Sequence, residues 1–169
     1  MMVLGKIQSL LWLMLCALVI CAWPIDAHAR TTVQMTKVRD LYLIPCKVNG
    51  LALGFIIDTG ASKVSISAKE AVFMLKNGYL SKNDLIGEES SRIANGQIVK
   101  GAAIVIRKLE VGGIVLRNVK ANVRYTSNAP SLLGQSALRQ LGTVQFDYAN
   151  DTVTFGGEPA TYNEENAYR

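Results

Sequence analysis

The stretch Phe55-Ile56-Ile57-Asp58-Thr59-Gly60-Ala61-Ser62 decides how the rest of this chain is interpreted. An apolar, partly β-branched run ends in a carboxylate, which is followed at once by Thr59-Gly60, where glycine favours a tight turn. The pattern predicts a buried strand that delivers the Asp58 side chain at its end. Asp-Thr-Gly occurs once in the 169 residues. Chemistry that needs two such carboxylates would therefore require a second copy of the chain.

The first 29 residues have the pattern of an export signal. Lys6 precedes an apolar run at 10–23, and Ala27-His28-Ala29 has the small-residue spacing of a cleavage site. We therefore expect residues 1–29 to be a signal peptide and the mature protein to be exported to the periplasm. The apolar run is shorter than the roughly 20 residues that usually span a membrane as a helix. An uncleaved membrane anchor formed by residues 10–23 is the alternative.

The composition of the remaining chain excludes several kinds of site. The only histidine, His28, lies in the predicted signal, which excludes His-dependent triads and His-based zinc sites from the mature protein. Cys46 is the one cysteine left, and in an apolar strand it is expected to be a small buried hydrophobe. The net charge of +5 is spread over mostly single Lys and Arg residues, so nucleic acid is not an expected partner. We expect no metal and no cofactor.

Turn signals and apolar runs predict a mainly β domain at residues 41–155, after a flexible lead-in at 30–40 and before a polar tail at 156–169. Ser67 and Glu70 form a capping-box pattern that begins a helix, which Asn77-Gly78 ends. The polar stretch that follows it, 79–91, is expected to be a loop. Strands are predicted at 41–48, 51–57, 64–67, 101–111, 114–116, 118–125, 144–148 and 152–155, with a second short helix at 135–141 and two extended arms at 91–99.

Two groups of side chains are assigned to the core or to the surface from their context. In the first helix the apolar side chains are expected to face the core: Ala71, Val72, Met74 and Leu75. The other aspartates of the domain region lie in polar or turn contexts and are expected at the surface: Asp40, Asp84, Asp147 and Asp151. Asp58 differs from these four aspartates because it directly follows an apolar strand.

Four elements, taken in order, resemble the retropepsin-like aspartic proteases, in particular small bacterial members with an N-terminal signal or anchor. They are the apolar strand with Asp58, a glycine-tipped hairpin at Asn95-Gly96, Leu132-Leu133-Gly134 ahead of a short helix, and the closing hairpin at 145–150. The resemblance spans roughly residues 41–155. It implies a mainly β, retropepsin-like acid protease half-barrel with two short helices that is active as a homodimer.

The resemblance also implies a function, an aspartic endopeptidase that hydrolyses peptide bonds in extended polypeptides. Water would be activated between two Asp58 carboxylates, one from each subunit, which share one proton. Thr59 is implied to hydrogen-bond across the dimer axis, and Gly60 to permit the tight turn. Ala61 stands where pepsin-like enzymes usually have Ser or Thr, and Ser62 stands where retroviral enzymes usually have Asp.

Two further elements receive roles from the resemblance. Ala94, Asn95 and Gly96 form the tip of a candidate flap that would close over the site, and an ordinary exposed hairpin is the alternative. Gly134 is implied to be structural, in the second of two loops that cross beneath the site. A non-catalytic module of the same fold that binds peptides or proteins is the alternative function, because a fold alone does not define an activity.

Overall fold

The computed structural model describes residues 30–92, 97–125 and 129–156. Within these ranges the chain forms eleven strands, two α-helices and one 3-10 turn at Lys82–Asp84, which confirms the expected mainly β fold. The helices are α1 (Ala68–Lys76) and α2 (Gln135–Leu141). The strands are β1 (Thr31–Gln34), β2 (Thr36–Val38), β3 (Leu41–Val48), β4 (Leu51–Ile57), β5 (Val64–Ser67), β6 (Leu85–Arg92), β7 (Ile98–Val111), β8 (Ile114–Arg124), β9 (Ser131–Leu133), β10 (Val144–Asp147) and β11 (Thr152–Phe155).

An eight-stranded sheet in the order β2-β3-β4-β9-β5-β8-β7-β6 forms the body of the domain. An additional pairing of β3 with β7 closes most of this sheet on itself around the apolar core. The short strand β9 runs parallel to β4 and lies between β4 and β5. The loop that follows β4 and the loop that follows β9 are therefore brought side by side, and Asp58 begins the first of them.

The core is built from the inward residues of these strands and from one stripe of each helix. Its largest fully buried side chains include Phe55, Ile66, Ile104 and Phe155. Cys46 is buried among them, as expected, and burial raises the pKa of its thiol to about 12. The thiol is therefore protonated at neutral pH and packs as a small apolar group.

The predicted lead-in at 30–40 is wrong in its local structure, since it forms β1 and β2. β1 pairs antiparallel with β11 in a separate three-stranded sheet with β10, and β2 pairs with β3. Val33 and Met35 are buried in this arrangement. The partner of β1 lies more than 110 residues away in the sequence, at the other end of the domain. A polar composition therefore gave no local sign of the pairing.

The prediction of a loop at 79–91 is also wrong, because most of this stretch is β6. This strand lies at the edge of the large sheet and pairs with β7 as far as Arg92 and Ile98. An edge strand needs backbone partners but no apolar side chains on both faces, which explains its polar sequence. The strands predicted at 114–116 and 118–125 are one strand, β8, in which Asn118 adopts a positive φ of 52° without ending the pairing with β7.

Helix α1 begins and ends where the sequence predicts, but fewer of its apolar side chains are buried than predicted. Ser67 caps it in a capping box with Glu70, and Asn77 ends it. Ala71 and Met74 are buried, as expected. Val72 and Leu75 are 49% and 40% exposed, so their predicted place in the core is wrong. A nine-residue helix on the outside of a sheet contacts it along one side only.

Asp84 is buried and ion-paired, which corrects its predicted surface position. Asp84 is only 6% exposed, and its carboxylate contacts the Arg107 guanidinium. The same carboxylate accepts a hydrogen bond from the Ser81 backbone N–H at 2.7 Å. Burial would raise the pKa of Asp84, but the hydrogen bonds from Ser81 and Arg107 outweigh it and lower the pKa below its ordinary value. The pair joins the start of β6 to β7.

Replacing Asp84 with Asn is expected to lower the free energy of unfolding at pH 7 by about 1–3 kcal/mol, because Arg107 loses its counter-ion. A lowered pKa means that the stabilisation is complete above the unfolded pKa of about 4 and is lost as the pH falls through the folded pKa. The wild type should therefore lose stability on acidification more steeply than Asp84→Asn. Urea unfolding between pH 3 and pH 7 measures this, with the exposed Asp40→Asn as control. Equal stability of both variants at pH 7 would contradict the assignment.

Candidate active site

Asp58 lies directly after β4 and is held by the neighbouring strand β9. Its backbone N–H donates to the carbonyl of Leu133 at 3.1 Å, which continues the parallel pairing of the two strands. One carboxylate oxygen, Oδ1, accepts the Gly60 backbone N–H at 2.9 Å. The Asp58 carbonyl accepts the Ala61 N–H at 3.3 Å, which closes the turn. The carboxylate is half-buried and fixed by its own loop, while Thr59 and Gly60 are exposed.

The start of α2 supports the Asp58 loop from the other side. The backbone N–H groups of Gln135 and Ser136 donate to the carbonyls of Ala61 and Ser62 at 2.9 and 3.1 Å. The Gln135 side-chain amide donates to the Thr59 carbonyl at 3.0 Å. Free N–H groups at a helix N-terminus thus bind the carbonyls of the loop. Three hydrogen bonds therefore join the start of α2 to the Asp58 loop and fix the position of the loop.

Gly134 lies at the closest approach of these two segments. A Cβ atom at this position would lie 2.3 Å from the carbonyl oxygen of Lys63 and 2.7 Å from that of Ala61. Both neighbours are backbone atoms, which cannot rotate away as a flexible side chain would. The absence of a side chain at Gly134 is therefore what allows the helix start to lie against the Asp58 loop.

Gly134→Ala is expected to destabilise the fold by about 1–3 kcal/mol or more, because a methyl group is forced against backbone carbonyls. Gly54→Ala is the matched control, since a Cβ there meets only the Leu43 side chain at an ordinary distance of 3.5 Å. Urea unfolding should show a large loss for Gly134→Ala and a change within about 0.5 kcal/mol for Gly54→Ala. Similar stabilities for the two variants would mean that the close approach does not constrain the fold.

The candidate flap can be located only by its arms. Ala94, Asn95 and Gly96 lie outside the described residues, so their predicted role stays a prediction. The arms on either side, β6 and β7, pair in register up to Arg92 and Ile98. The structure therefore brings Asp58, Thr59, Gly60 and Ala61 together with Gly134. It places both arms of the hairpin in the eight-stranded sheet.

Arg124 is a charged neighbour of Asp58 that sequence reasoning missed. Burial lowers the pKa of its guanidinium below the ordinary value, while the nearby carboxylates of Asp58 and Glu70 act in the opposite direction. The Glu70 carboxylate in turn accepts the Ser131 hydroxyl at 2.6 Å. Arg124 ends β8 as one polar residue in an alternating strand, and no local pattern indicates that its side chain approaches Asp58. Among the described residues no cluster of three or more His, Cys, Asp or Glu side chains could hold a metal ion.

Comparisons with known proteins define the class to which this fold and loop belong. A family model described as "gag-polyprotein putative aspartyl protease" matches residues 44–140, more than half of the chain. The chain therefore belongs to the retropepsin-like aspartic protease family, and the predicted resemblance is confirmed.

A solved structure agrees with the family assignment at the level of the fold. The chain is similar to the crystal structure of a retropepsin-like aspartic protease from Rickettsia conorii, with a TM-score of 0.54 and 24% sequence identity. The match covers 77% of this chain and 93% of that one. A search of curated proteins found no match. The predicted fold class is thus confirmed. A sequence identity of 24% supports an assignment of the fold and nothing beyond it.

Proposed function

We propose that the protein is an aspartic endopeptidase in which Asp58 is the catalytic residue. The observation that carries the proposal is the placement of the Asp58 carboxylate. It is half-buried at the end of β4, and its loop is held by both β9 and the start of α2. A preorganised carboxylate of this kind needs no reorganisation when charge develops in the transition state.

The proposed chemistry needs two carboxylates, and the chain has one Asp-Thr-Gly motif. Two Asp58 side chains that face each other across a two-fold axis would share one proton, because two like charges at contact distance do not both ionise. The ionised partner would act as base toward a water molecule, and the protonated partner would polarise the substrate carbonyl. The exposed Thr59 of each loop would hydrogen-bond across the axis.

Two observations support a second copy of the chain as the partner. Retropepsin-like proteins act as dimers on polypeptide substrates. In this chain β10 lies at an edge of the three-stranded sheet and carries Phe146, which stacks on Tyr148 at a centroid distance of 5.7 Å. Both rings are exposed. We propose that these terminal strands contribute to the subunit interface.

Cleavage of a mixed peptide library tests the enzymatic assignment and defines the substrate. The purified protein is incubated with peptides of random sequence, and new termini are identified by mass spectrometry. Endopeptidase activity predicts cuts within extended peptides that are lost in Asp58→Asn. Binding of peptides without any cut would instead favour the non-catalytic module.

We also propose that residues 1–29 direct export and are removed, on the strength of the Ala27-His28-Ala29 pattern. In the described part of the chain no helix is long and apolar enough to cross a membrane, and the apolar run 10–23 lies outside that part. The mature protein from the exported fraction is expected to begin at Arg30, as measured by intact mass. A mass that includes residues 1–29, found in the membrane fraction, would show the anchor instead.

A further inference from the structure

An ion pair connects the loop that follows Asp58 with strand β6. The Lys63 ammonium contacts Glu89 Oε1 at 2.5 Å, and the two side chains are 33% and 23% exposed. Lys63 directly precedes β5 and ends the loop that Asp58 begins, whereas Glu89 lies in β6, one arm of the hairpin formed with β7. The two residues are 26 positions apart in the sequence. The pair is therefore a tertiary contact between the Asp58 loop and the hairpin.

A flat sheet would not bring these two side chains together. β8 and β7 lie between β5 and β6 in the strand order, and three steps between neighbouring strands amount to about 14 Å. Through Ala121, Val64 is level with Ile104 on β7. Glu89 is instead level with Gly101, which lies further along β7 by about 10 Å. The separation in a flat sheet would exceed the combined reach of a Lys and a Glu side chain.

The sheet therefore curves, and it curves toward Asp58. Glu89 lies opposite Gly101, which in turn lies opposite Arg124, so these residues form one row across β6, β7 and β8. The Arg124 guanidinium is close enough to Asp58 for their charges to interact. Glu89, in the same row, contacts Lys63 at the end of the Asp58 loop. Two charged residues of this row thus approach the loop, which places the β6 arm beside the catalytic carboxylate.

The backbone that carries Lys63 is held in place by the start of α2. A Cβ atom at Gly134 would lie 2.3 Å from the Lys63 carbonyl oxygen, so the two backbones are in direct contact. The next residue, Val64, donates its N–H to Ser136 Oγ at 2.9 Å. The same hydroxyl donates to the Lys120 carbonyl at 2.7 Å, which joins the segment to β8. The Lys63 ammonium is therefore presented to Glu89 from a fixed position.

The β6 arm that carries Glu89 is less constrained by its own pairing. It lies at an edge of the eight-stranded sheet, and within the described ranges its strand partner is β7. The pairing shifts in register between Leu85 and Gly87, where Gly87 adopts a φ of 145°. An edge strand with one partner and an irregular start opens more readily than a central strand. A contact from the fixed Asp58 loop therefore restrains a segment that pairing holds on one side.

We propose that the Lys63–Glu89 ion pair positions the β6 arm against the Asp58 loop and thereby strengthens binding of an extended polypeptide, an inference that rests on the proposed proteolytic function. Lys63 and Glu89 are positioning residues, since neither has to touch the reacting atoms. A peptide at Asp58 lies beside the arm, and an arm that is already in place loses less conformational entropy when the peptide binds. Loss of the pair therefore weakens binding and leaves the chemical step unchanged.

Removal of either charge tests the positioning role. Lys63→Met removes the ammonium from a side chain of similar length, and Glu89→Gln keeps the shape of the side chain without its charge. Each variant is expected to raise KM for a cleaved peptide by about two- to fivefold with kcat unchanged, because a partly exposed ion pair makes a modest contribution. Lys63→Arg keeps the charge and should keep the wild-type KM. An unchanged KM in both Lys63→Met and Glu89→Gln would overturn the proposal.

A double variant and a second ion pair are the controls for this measurement. Lys63→Met/Glu89→Gln should raise KM no further than either single variant, since each single change already removes the same interaction. Lys108→Met breaks a comparable ion pair, in which the Lys108 ammonium contacts Glu110 on the same strand at 2.8 Å, and should leave KM unchanged. Additive effects of the two single changes, or an equal rise of KM in Lys108→Met, would show that the Lys63–Glu89 contact is not the cause.

Amide hydrogen exchange measures the restraint on the arm without catalysis. Protection of the β6 amides is expected to fall by about two- to fivefold in Lys63→Met and in Glu89→Gln, while the protection of α1 stays at the wild-type level. Lys108→Met should leave the exchange of β6 unchanged. Wild-type exchange of β6 in both ion-pair variants would mean that the pair does not restrain the arm and would overturn the proposal.

A binding measurement separates this inference from the proposed function. Fluorescence anisotropy of the random peptide library, labelled with fluorescein, is measured with the wild type, Lys63→Met and Glu89→Gln. Weaker binding by both variants would support the positioning role even if the wild type cleaves no peptide. Cleavage by the wild type, with KM and peptide affinity unchanged in both variants, would reject the positioning role and leave the protease assignment intact. A wild type that neither binds nor cleaves peptides would overturn both.

Discussion

Asp58→Asn is expected to abolish proteolysis, with a loss of kcat/KM of about 10³-fold or more. An amide neither accepts a proton as a base nor shares one with the opposite carboxylate, so the water molecule is no longer activated. The fold should persist, because the Asn side-chain oxygen can still accept the Gly60 N–H and the backbone bonds to Leu133 are unchanged. Hydrolysis of unfolded casein and circular dichroism are measured on the same samples.

The control for this experiment is Asp40→Asn, which makes the same change at an exposed carboxylate outside the site. It is expected to retain wild-type activity within a factor of about two, since exposed surface substitutions have small effects. Retained cleavage by Asp58→Asn would remove Asp58 from the mechanism. Loss of activity together with loss of the native spectrum would show instead that Asp58 is needed for folding.

The parts of the fold that the sequence predicts correctly are those coded by neighbouring residues. The Asn49-Gly50 turn, which joins β3 to β4, combines residues that tolerate positive φ, and both adopt it. The capping box at Ser67 begins α1, and Gly142 ends α2 with a φ of 78°. In each case a turn or cap residue flanks a periodic apolar pattern, so the signal and the structure lie within a few residues of each other.

The parts that the sequence does not predict depend on partners far along the chain. β1 is a strand because β11 pairs with it, and β6 is a strand because β7 pairs with it. Asp84 is buried because Arg107, on β7, supplies a counter-charge. Neither β1 nor β6 contains an apolar pattern that would predict the pairing. Burial of a charge likewise follows from tertiary contacts and not from the residues beside it.

The candidate site likewise has one part that the sequence predicts and one part that it does not. Asp58 and the Gly134 segment were singled out as motifs, and the structure brings them into contact. Arg124 and Ser65 carry no motif, and only the strand register places them on one face beside Asp58. A sequence motif locates the candidate catalytic residue, whereas its neighbours on the sheet follow from the pairing of the strands.

Activity is expected to depend on the dimer, because one Asp-Thr-Gly per chain cannot form a pair of carboxylates within that chain. Specific activity should be constant at high protein concentration and fall on dilution below the dissociation constant of the dimer. A two-fold axis between the Asp58 residues makes the interface isologous, so each chain contributes the same surface. Sedimentation velocity at the same concentrations should show the monomer appearing as activity is lost.

Mixing the wild type with inactive chains tests the same requirement without dilution. With a ninefold excess of Asp58→Asn, random exchange pairs only about one in ten wild-type chains with another wild-type chain. Activity per wild-type chain should therefore fall to about a tenth, since a mixed dimer has one normal carboxylate. The same excess of an unrelated protein should have no effect. Full activity in the mixture, or in a sample that sediments as monomer only, would show that one chain carries a complete site and that the shared mechanism is wrong.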